Sequence, residues 1–354
     1  MNSIYTKKNF FYFILLSFFF FLFFESKFFS PIYELVGDPV SYISHICTIL
    51  FDFDLDYTNE LYRIKTNNNN VPPHPIGVGL LASVITLPFS LLDRAFQSQI
   101  IYDRSIYQSS WLFLGINVAS IIMFYYGTLF YFKSLRIMKI NINQNLIFMI
   151  ILSTGILYYV VSVPIFSHIY EYFIISTILF LSLRYSKFFL YKDLIVLIFL
   201  LSLSLLIRYN NINIFFIPFI VFLVEKIRNK NELTICKNIY KLIPCFLLSL
   251  IVVNLIIFYV YDSNLFQYTK IYGADSTGKI LNQFITFDLL DFFLLLKFFF
   301  ILIFTFDNGI LFTNPISFLI LFFSLYIFFN YYKNHNNKKL IIIAFLMVLM
   351  YFGY

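Results

Sequence analysis

Apolar positions in this chain fall into long unbroken runs rather than into alternating or strongly one-sided patterns. Runs of about 17–25 apolar residues are the length of a helix that crosses a bilayer. Counting runs alone gives about eleven crossings. The run from Phe10 to Phe24 follows Lys7 and Lys8 and has the outline of a signal peptide. Glu25-Ser26-Lys27-Phe28-Phe29 is a poor cleavage site, so the pattern predicts a retained first helix.

Charge changes that count. Basic residues cluster at Lys7/Lys8, Lys133/Arg136/Lys139, Arg184/Lys187/Lys192, Lys226 to Lys241, and Lys333/Lys338/Lys339. Short loops rich in Lys and Arg stay cytoplasmic. If all five clusters do so, an even number of crossings separates each from the next. Two apolar stretches, Ile76 to Leu92 and Leu289 to Phe306, must then lie outside without spanning. On that reading the cytoplasmic side holds sixteen Lys and Arg against three acids, and the remainder holds nine against fifteen. That asymmetry accounts for the net charge of +7 by topology, with no need for a nucleic-acid partner.

The expected fold is therefore all-α, a polytopic helical bundle forming one transmembrane domain over residues 1–354. About nine helices would span, at roughly 10–29, 109–132, 144–163, 168–186, 192–208, 212–226, 240–261, 312–331 and from 340 onward. Residues 30–108 and 262–311 would be large outer loops, each with a non-spanning juxtamembrane helix. The last run, about fifteen residues, is shorter than the ~20 a crossing needs, which suggests a missing C-terminal part. Composition agrees with the class: 60% of residues are hydrophobic, 22% aromatic and only 12% charged, and the mean hydropathy is +0.83. Even a large soluble domain buries only ~75% of its unfolded surface, too little for such a chain. Cys47, Cys236 and Cys245 show neither a disulfide framework nor zinc-ligand spacing.

Chemistry has few places to sit. Asp38 follows Gly37 just past the first run, and Pro39 after it favours a helix start there, running to about Phe51. Asp38 is then either a helix cap or a partly desolvated carboxylate able to act as general base or metal ligand. Asp52, Asp54 and Asp56 alternate, so they form either a solvated turn or one face that could hold a divalent cation. Arg63, Lys65, Arg94 and Arg104 are outer cations, serving as interfacial anchors or as partners for a lipid phosphate. Arg208, deep at a helix end, either contacts a phosphate or snorkels to the interface. His74, before Pro75, orients its loop or meets a substrate. There is no P-loop, GxGxxG, HExxH or nucleophile elbow, which argues against a nucleotide-driven enzyme or a serine hydrolase.

The succession Gly37-Asp38-Pro39-x-x-Tyr42, Phe51-Asp52-Phe53-Asp54-Leu55-Asp56-x-x-Asn59 and His74-Pro75-Ile76-Gly77 resembles the first outer loop of GT-C glycosyltransferases. The likeness is to the bacterial branch related to protein mannosyltransferases and aminoarabinose transferases. Val163-Pro164-Ile165-Phe166-Ser167-His168, with Tyr170 and Phe173, resembles the family's second outer loop, where an acid often follows the proline. Here His168 takes that place and Glu171 lies one turn on. Leu206-Ile207-Arg208-Tyr209-Asn210-Asn211 resembles a later basic-plus-Asn junction, and Asp307-Asn308-Gly309-Ile310-Leu311 with Pro315 the start of a late helix.

The resemblance implies transfer of a sugar from a polyprenyl-phosphate carrier to a glycan, lipid or protein acceptor. The site would lie on the periplasmic face of a bacterial inner membrane. It implies catalytic roles for Asp38, His168 and Glu171, and substrate binding by Tyr42, His74, Arg94, Arg104, Arg208 and Asn211. A divalent cation is compatible with it but not required. The rivals are a transporter or flippase of lipid-linked saccharide and an inactive scaffold of the same fold. A transporter would be expected to show internal repeats and broken helices, and the sequence shows neither.

Overall fold

The computed structural model describes residues 38–55, 57, 72, 74–96, 111–138, 151, 156–161, 163–229 and 232–261. The first expected span, Asp56, Arg63, Lys65, Arg104, the second outer loop and the last two expected spans lie outside the described residues. Among the described residues every regular element is helical: α1 Asp38–Cys47, α2 Gly77–Ala95, α3 Trp111–Ile137, α4 Ile156–Val161, α5 Ser167–Phe188, α6 Tyr191–Ile207, α7 Phe216–Asn229 and α8 Glu232–Tyr261. A wider helical turn, Thr48–Asp52, continues α1, and a 3₁₀ turn, Tyr209–Phe215, joins α6 to α7.

Among the described residues, three helices are long and apolar enough to cross a membrane: α2, α3 and the Tyr240–Tyr261 part of α8. This is a helical membrane protein. Helices α5 and α6 occupy expected spans but measure 22 and 17 residues, and polar Glu171 and Arg184 interrupt α5.

The chain divides into two compact units. In the first, α2 buries a stripe of small residues, Gly79, Ala82, Ser83, Thr86 and Ser90, and exposes Val84, Leu87, Leu91 and Leu92. Small residues inward and large apolar ones outward is how helices pack when lipid surrounds them. The buried hydroxyls of Thr86 and Ser90 bond back to the carbonyls of Ala82 and Leu87, at 2.9 and 2.8 Å, so they carry no desolvation cost. At its C-terminal end α2 offers Asp93, whose buried carboxylate accepts the backbone N–H groups of Trp111 and Leu112 at 2.9 and 2.7 Å. Asp93 thus caps α3 across the chain, placing a negative charge on the positive end of that helix. Arg94 beside it donates to the carbonyls of Leu50 and Phe51, at 2.9 and 2.6 Å, and lies over the ring of Phe53.

At its other end α2 meets two backbones. A Cβ on Gly77 would come within 2.4 Å of the Leu206 carbonyl carbon, and one on Gly79 within 2.4 Å of the His45 Cβ. Only glycine fits at either position, so α2 starts wedged between α1 and the C-terminal end of α6. The start of α5 is fixed on α3 by Tyr172, which pairs its hydroxyl with Thr128 at 3.1 Å and its ring with Phe124.

The second unit is closed by the turn from α5 to α6. Phe189 takes a left-handed conformation (φ 54°) and its N–H bonds Tyr185 O at 2.8 Å. Across that turn Arg184 grips the fully buried Asp193 in a two-point ion pair. Tyr185, Leu194, Phe222, Leu242 and Cys245 form the apolar core of this unit. Ser202 and Ser249 bond across α6 and α8, the kind of small-residue contact that holds helices together in lipid.

Candidate functional site

Four segments far apart in sequence meet in the first unit: the start of α1, the loop before α2, the start of α5 and the end of α6. Asp38 is the first residue of α1, half-buried. Its Oδ1 lies 2.8 Å from Nε2 of His74. The other imidazole nitrogen, Nδ1, lies 3.0 Å from the buried Ser41 hydroxyl. A helix brings Asp38, Ser41, Tyr42 and His45 onto one face, because they recur at three- and four-residue spacing. Tyr42 packs edge-on under the His74 ring, with centroids 5.5 Å apart.

The hydrogen bond from His74 holds the Asp38 carboxyl below its ordinary value. Burial pushes the other way and is outweighed, with further lowering from charge on His74 and Arg208 and a small contribution from the residue's own N–H. Asp38 is therefore a carboxylate at neutral pH. Burial pushes the Tyr42 phenol up to about 12, so it stays protonated. With 1% of its surface exposed, Tyr42 supports His74 rather than facing a ligand.

Glu171 is the second acid of the site, itself buried, and joins the remaining parts. Its Oε1 accepts the Asn211 amide at 3.2 Å and lies 3.5 Å from Arg208 Nε, and its Oε2 lies 3.5 Å from His168 Nδ1. Asn211 is fully buried and also donates to the Ser204 carbonyl at 2.9 Å, which ties the 3₁₀ turn to the end of α6. His168 is a third exposed and rests on the ring of Tyr159, with centroids 4.3 Å apart. Arg208 is partly exposed at 28%. The cluster thus offers a carboxylate, an imidazole and a guanidinium to the surrounding medium from a buried frame of Glu171, Asn211, Ser41 and Tyr42.

Of the expected site residues, Asp38, Tyr42, His74, His168, Glu171, Arg208 and Asn211 fall in this unit and are linked by the contacts above. Arg94 does not join them: it sits seventeen residues past Gly77, at the opposite end of α2, bound to carbonyls at the end of α1. Arg104 lies outside the described residues. Asp54 closes a local turn, accepting the Thr48 hydroxyl at 2.9 Å and donating its N–H to Thr48 O at 3.3 Å, while Asp52 is exposed. Among the described residues no three His, Cys, Asp or Glu side chains are grouped to hold a metal ion.

Two members of the site were not legible in the sequence, His45 and Tyr57. His45 is fully buried; its Nε2 lies 2.8 Å from the His74 carbonyl oxygen and its Nδ1 2.8 Å from the Tyr57 hydroxyl. A carbonyl only accepts, so Nε2 carries the proton, and the neutral ring accepts from Tyr57 at Nδ1. Position 45, two helical turns after Asp38 on the same face, is the one available signal.

Burial pushes His45 from 6.5 down to about 4, outweighing the opposing carbonyl contact. The unfolded chain binds a proton at this residue below its ordinary value and the folded chain does not, so stability falls as pH drops from about 6.5 towards 4. A drop of that size corresponds to at most about 3 kcal/mol. Melting of the detergent-solubilised chain should therefore become easier from pH 7 to pH 4.5, and His45→Gln should flatten that dependence; equal slopes in the two proteins would contradict it. No protein-family model matches the chain, and neither a curated protein nor a solved structure matches it.

Proposed function

We infer that this chain is an integral-membrane glycosyltransferase of GT-C type, moving a sugar from a polyprenyl phosphate to an acceptor hydroxyl. The observation that carries the reading is the meeting of Asp38, His74, Glu171, His168 and Arg208 from four distant segments. A carboxylate used only as a helix cap has no need of an imidazole on one oxygen and a guanidinium nearby.

In the reaction the acceptor oxygen attacks the anomeric carbon as the bond from that carbon to the phosphate oxygen breaks. The bonding pair leaves with the phosphate, and the acceptor's proton passes to Asp38. His74 occupies Oδ1, which leaves Oδ2 for the acceptor. A carboxylate of lowered proton affinity accepts the proton only once bond formation has made the hydroxyl acidic, as suits a transition state with oxocarbenium character. Arg208 is the cation for the departing phosphate. Two carboxylates against one guanidinium leave that phosphate short of positive charge. A divalent cation entering with the donor would supply it.

The topology that fits this reading keeps α2 outside. By length and composition α2 could cross. Its first residues, however, press on the C-terminal end of α6 and its last residues cap the N-terminal end of α3. With every basic cluster cytoplasmic, both of those ends are outer, and a helix joining two outer ends does not span. Cysteines at positions 68 and 103 should then label from one side and a cysteine at 133 from the other. Labelling of 68 and 103 from opposite sides would overturn that topology.

The chemistry is tested with three variants in a transfer assay using lipid-linked sugar. Asp38→Asn should lower transfer by about 10²-fold or more with normal membrane insertion. Arg208→Ala should weaken donor binding severely and Arg208→Lys partly, because lysine keeps the charge but loses the two-pronged grip. Full activity in Asp38→Asn would remove the transferase role from this site and favour the transporter reading.

A further inference from the structure

The His74 carbonyl is held by a fully buried pair, His45 and Tyr57. Pro75 fixes the backbone after it and restricts His74 itself to an extended conformation. The His74 carbonyl accepts from His45 Nε2, and His45 is in turn held by the Tyr57 hydroxyl. The two rings also meet edge to face, with centroids 5.2 Å apart. Gly79 lets α2 close directly on the His45 Cβ. Both His45 and Tyr57 are at most 1% exposed. A fully buried polar pair is costly unless every partner is satisfied, and here each polar atom has one.

We propose that Tyr57 and His45 are positioning residues that act through the His74 carbonyl to hold its imidazole against Asp38. The chain of contacts runs from the Tyr57 O–H to His45 Nδ1, from His45 Nε2–H to His74 O, and from His74 Nε2 to Asp38 Oδ1. Ser41 steadies the far side of the His74 ring. Loss of the Tyr57 hydroxyl leaves the buried Nδ1 lone pair of His45 unpaired, and a ring held at one nitrogen only fixes the His74 carbonyl less firmly. The proposal rests on the reading of Asp38 as the reacting carboxylate, but its test needs no substrate.

The test follows the carboxyl of Asp38 itself. Carbodiimide labels protonated carboxyls, so the pH at which labelling of Asp38 is half-maximal, read by mass spectrometry on the full chain in detergent, reports how firmly His74 is held. Among the described residues, the groups facing Asp38 are His74, Arg208 and Tyr42, and those facing His45 are Tyr57 and His74. Tyr57→Phe and His45→Leu leave all three neighbours of Asp38 chemically unchanged. Both should raise the midpoint by about one pH unit, as loss of a close favourable partner does. His45→Gln, which keeps an N–H donor for the carbonyl, should recover most of the difference. A merely structural role would lower stability in all three without moving the midpoint in this order.

His74→Ala gives the shift expected when the imidazole is absent altogether. If His74→Ala moves the midpoint while Tyr57→Phe and His45→Leu leave it at the parent value, the proposal is overturned. Should His45→Leu fail to fold, Tyr57→Phe decides alone, since it keeps the ring and deletes only the hydroxyl. A normal relay in a chain whose Asp38→Asn variant transfers sugar at the parent rate would instead count against the transferase reading.

Discussion

The missing side chains of Gly77 and Gly79 are the constraint on which the site depends. A single methyl at either position would sit 2.4 Å from its neighbour, well inside contact distance. Because nothing is there, α2 begins in direct contact with the backbone of α6 and with His45 of α1. The residue three before Gly77 is His74, so the same close approach delivers an imidazole to Asp38. The end of α6 continues into Arg208, whose guanidinium reaches Glu171 from that point. Helix packing and site assembly are one event here. Tertiary contact brings together groups that local propensity could not.

The energetics of the cluster rest on compensation. A buried carboxylate costs several kcal/mol unless its oxygens find donors. Glu171 meets Asn211 and Arg208 on one oxygen and His168 near the other. Asp93 meets two backbone amides at a helix start, and Asp193 meets both prongs of Arg184. Asp38 differs from these three: it is half-buried and answered on Oδ1 by the imidazole of His74. Asp93 and Asp193 are spent on helix ends and turns, Glu171 is enclosed by its partners, and Asp38 keeps part of its surface exposed.

Much of the helical frame was legible because apolar runs and polar breaks mark it. The stretch 109–132 became Trp111–Ile137, 168–186 became Ser167–Phe188, 192–208 became Tyr191–Ile207, and 240–261 ends Glu232–Tyr261. The helix expected from Asp38 to Phe51 stops being regular at Cys47, where the wider turn carries the chain to Phe53 in a left-handed conformation. The stretch 212–226 starts late, at Phe216, because Asn211 is drawn into the site and the chain turns tightly around it. Asp38 and Arg208 were legible as charged residues at the ends of apolar runs, where charge is expensive without purpose, and Glu171 and Asn211 through the motifs that resemble the family. Their mutual contacts were not, since nothing local pairs residue 171 with 208 or 45 with 57. Arg94 looked like a phosphate ligand for the same reason the others did. Its partners, carbonyls of residues 50 and 51, are visible only in three dimensions.

The proposed function requires a phosphate-linked lipid to bind where these four segments meet. A polyprenyl-phosphate analogue with a photoreactive group beside the phosphate tests it directly, by crosslinking in membranes and mapping of the modified peptides. The account predicts adducts within residues 38–42, 74–77, 168–171 and 208–211, competed by unlabelled polyprenyl phosphate. Competed adducts confined to other parts of the chain, with these four segments unmodified, would contradict it.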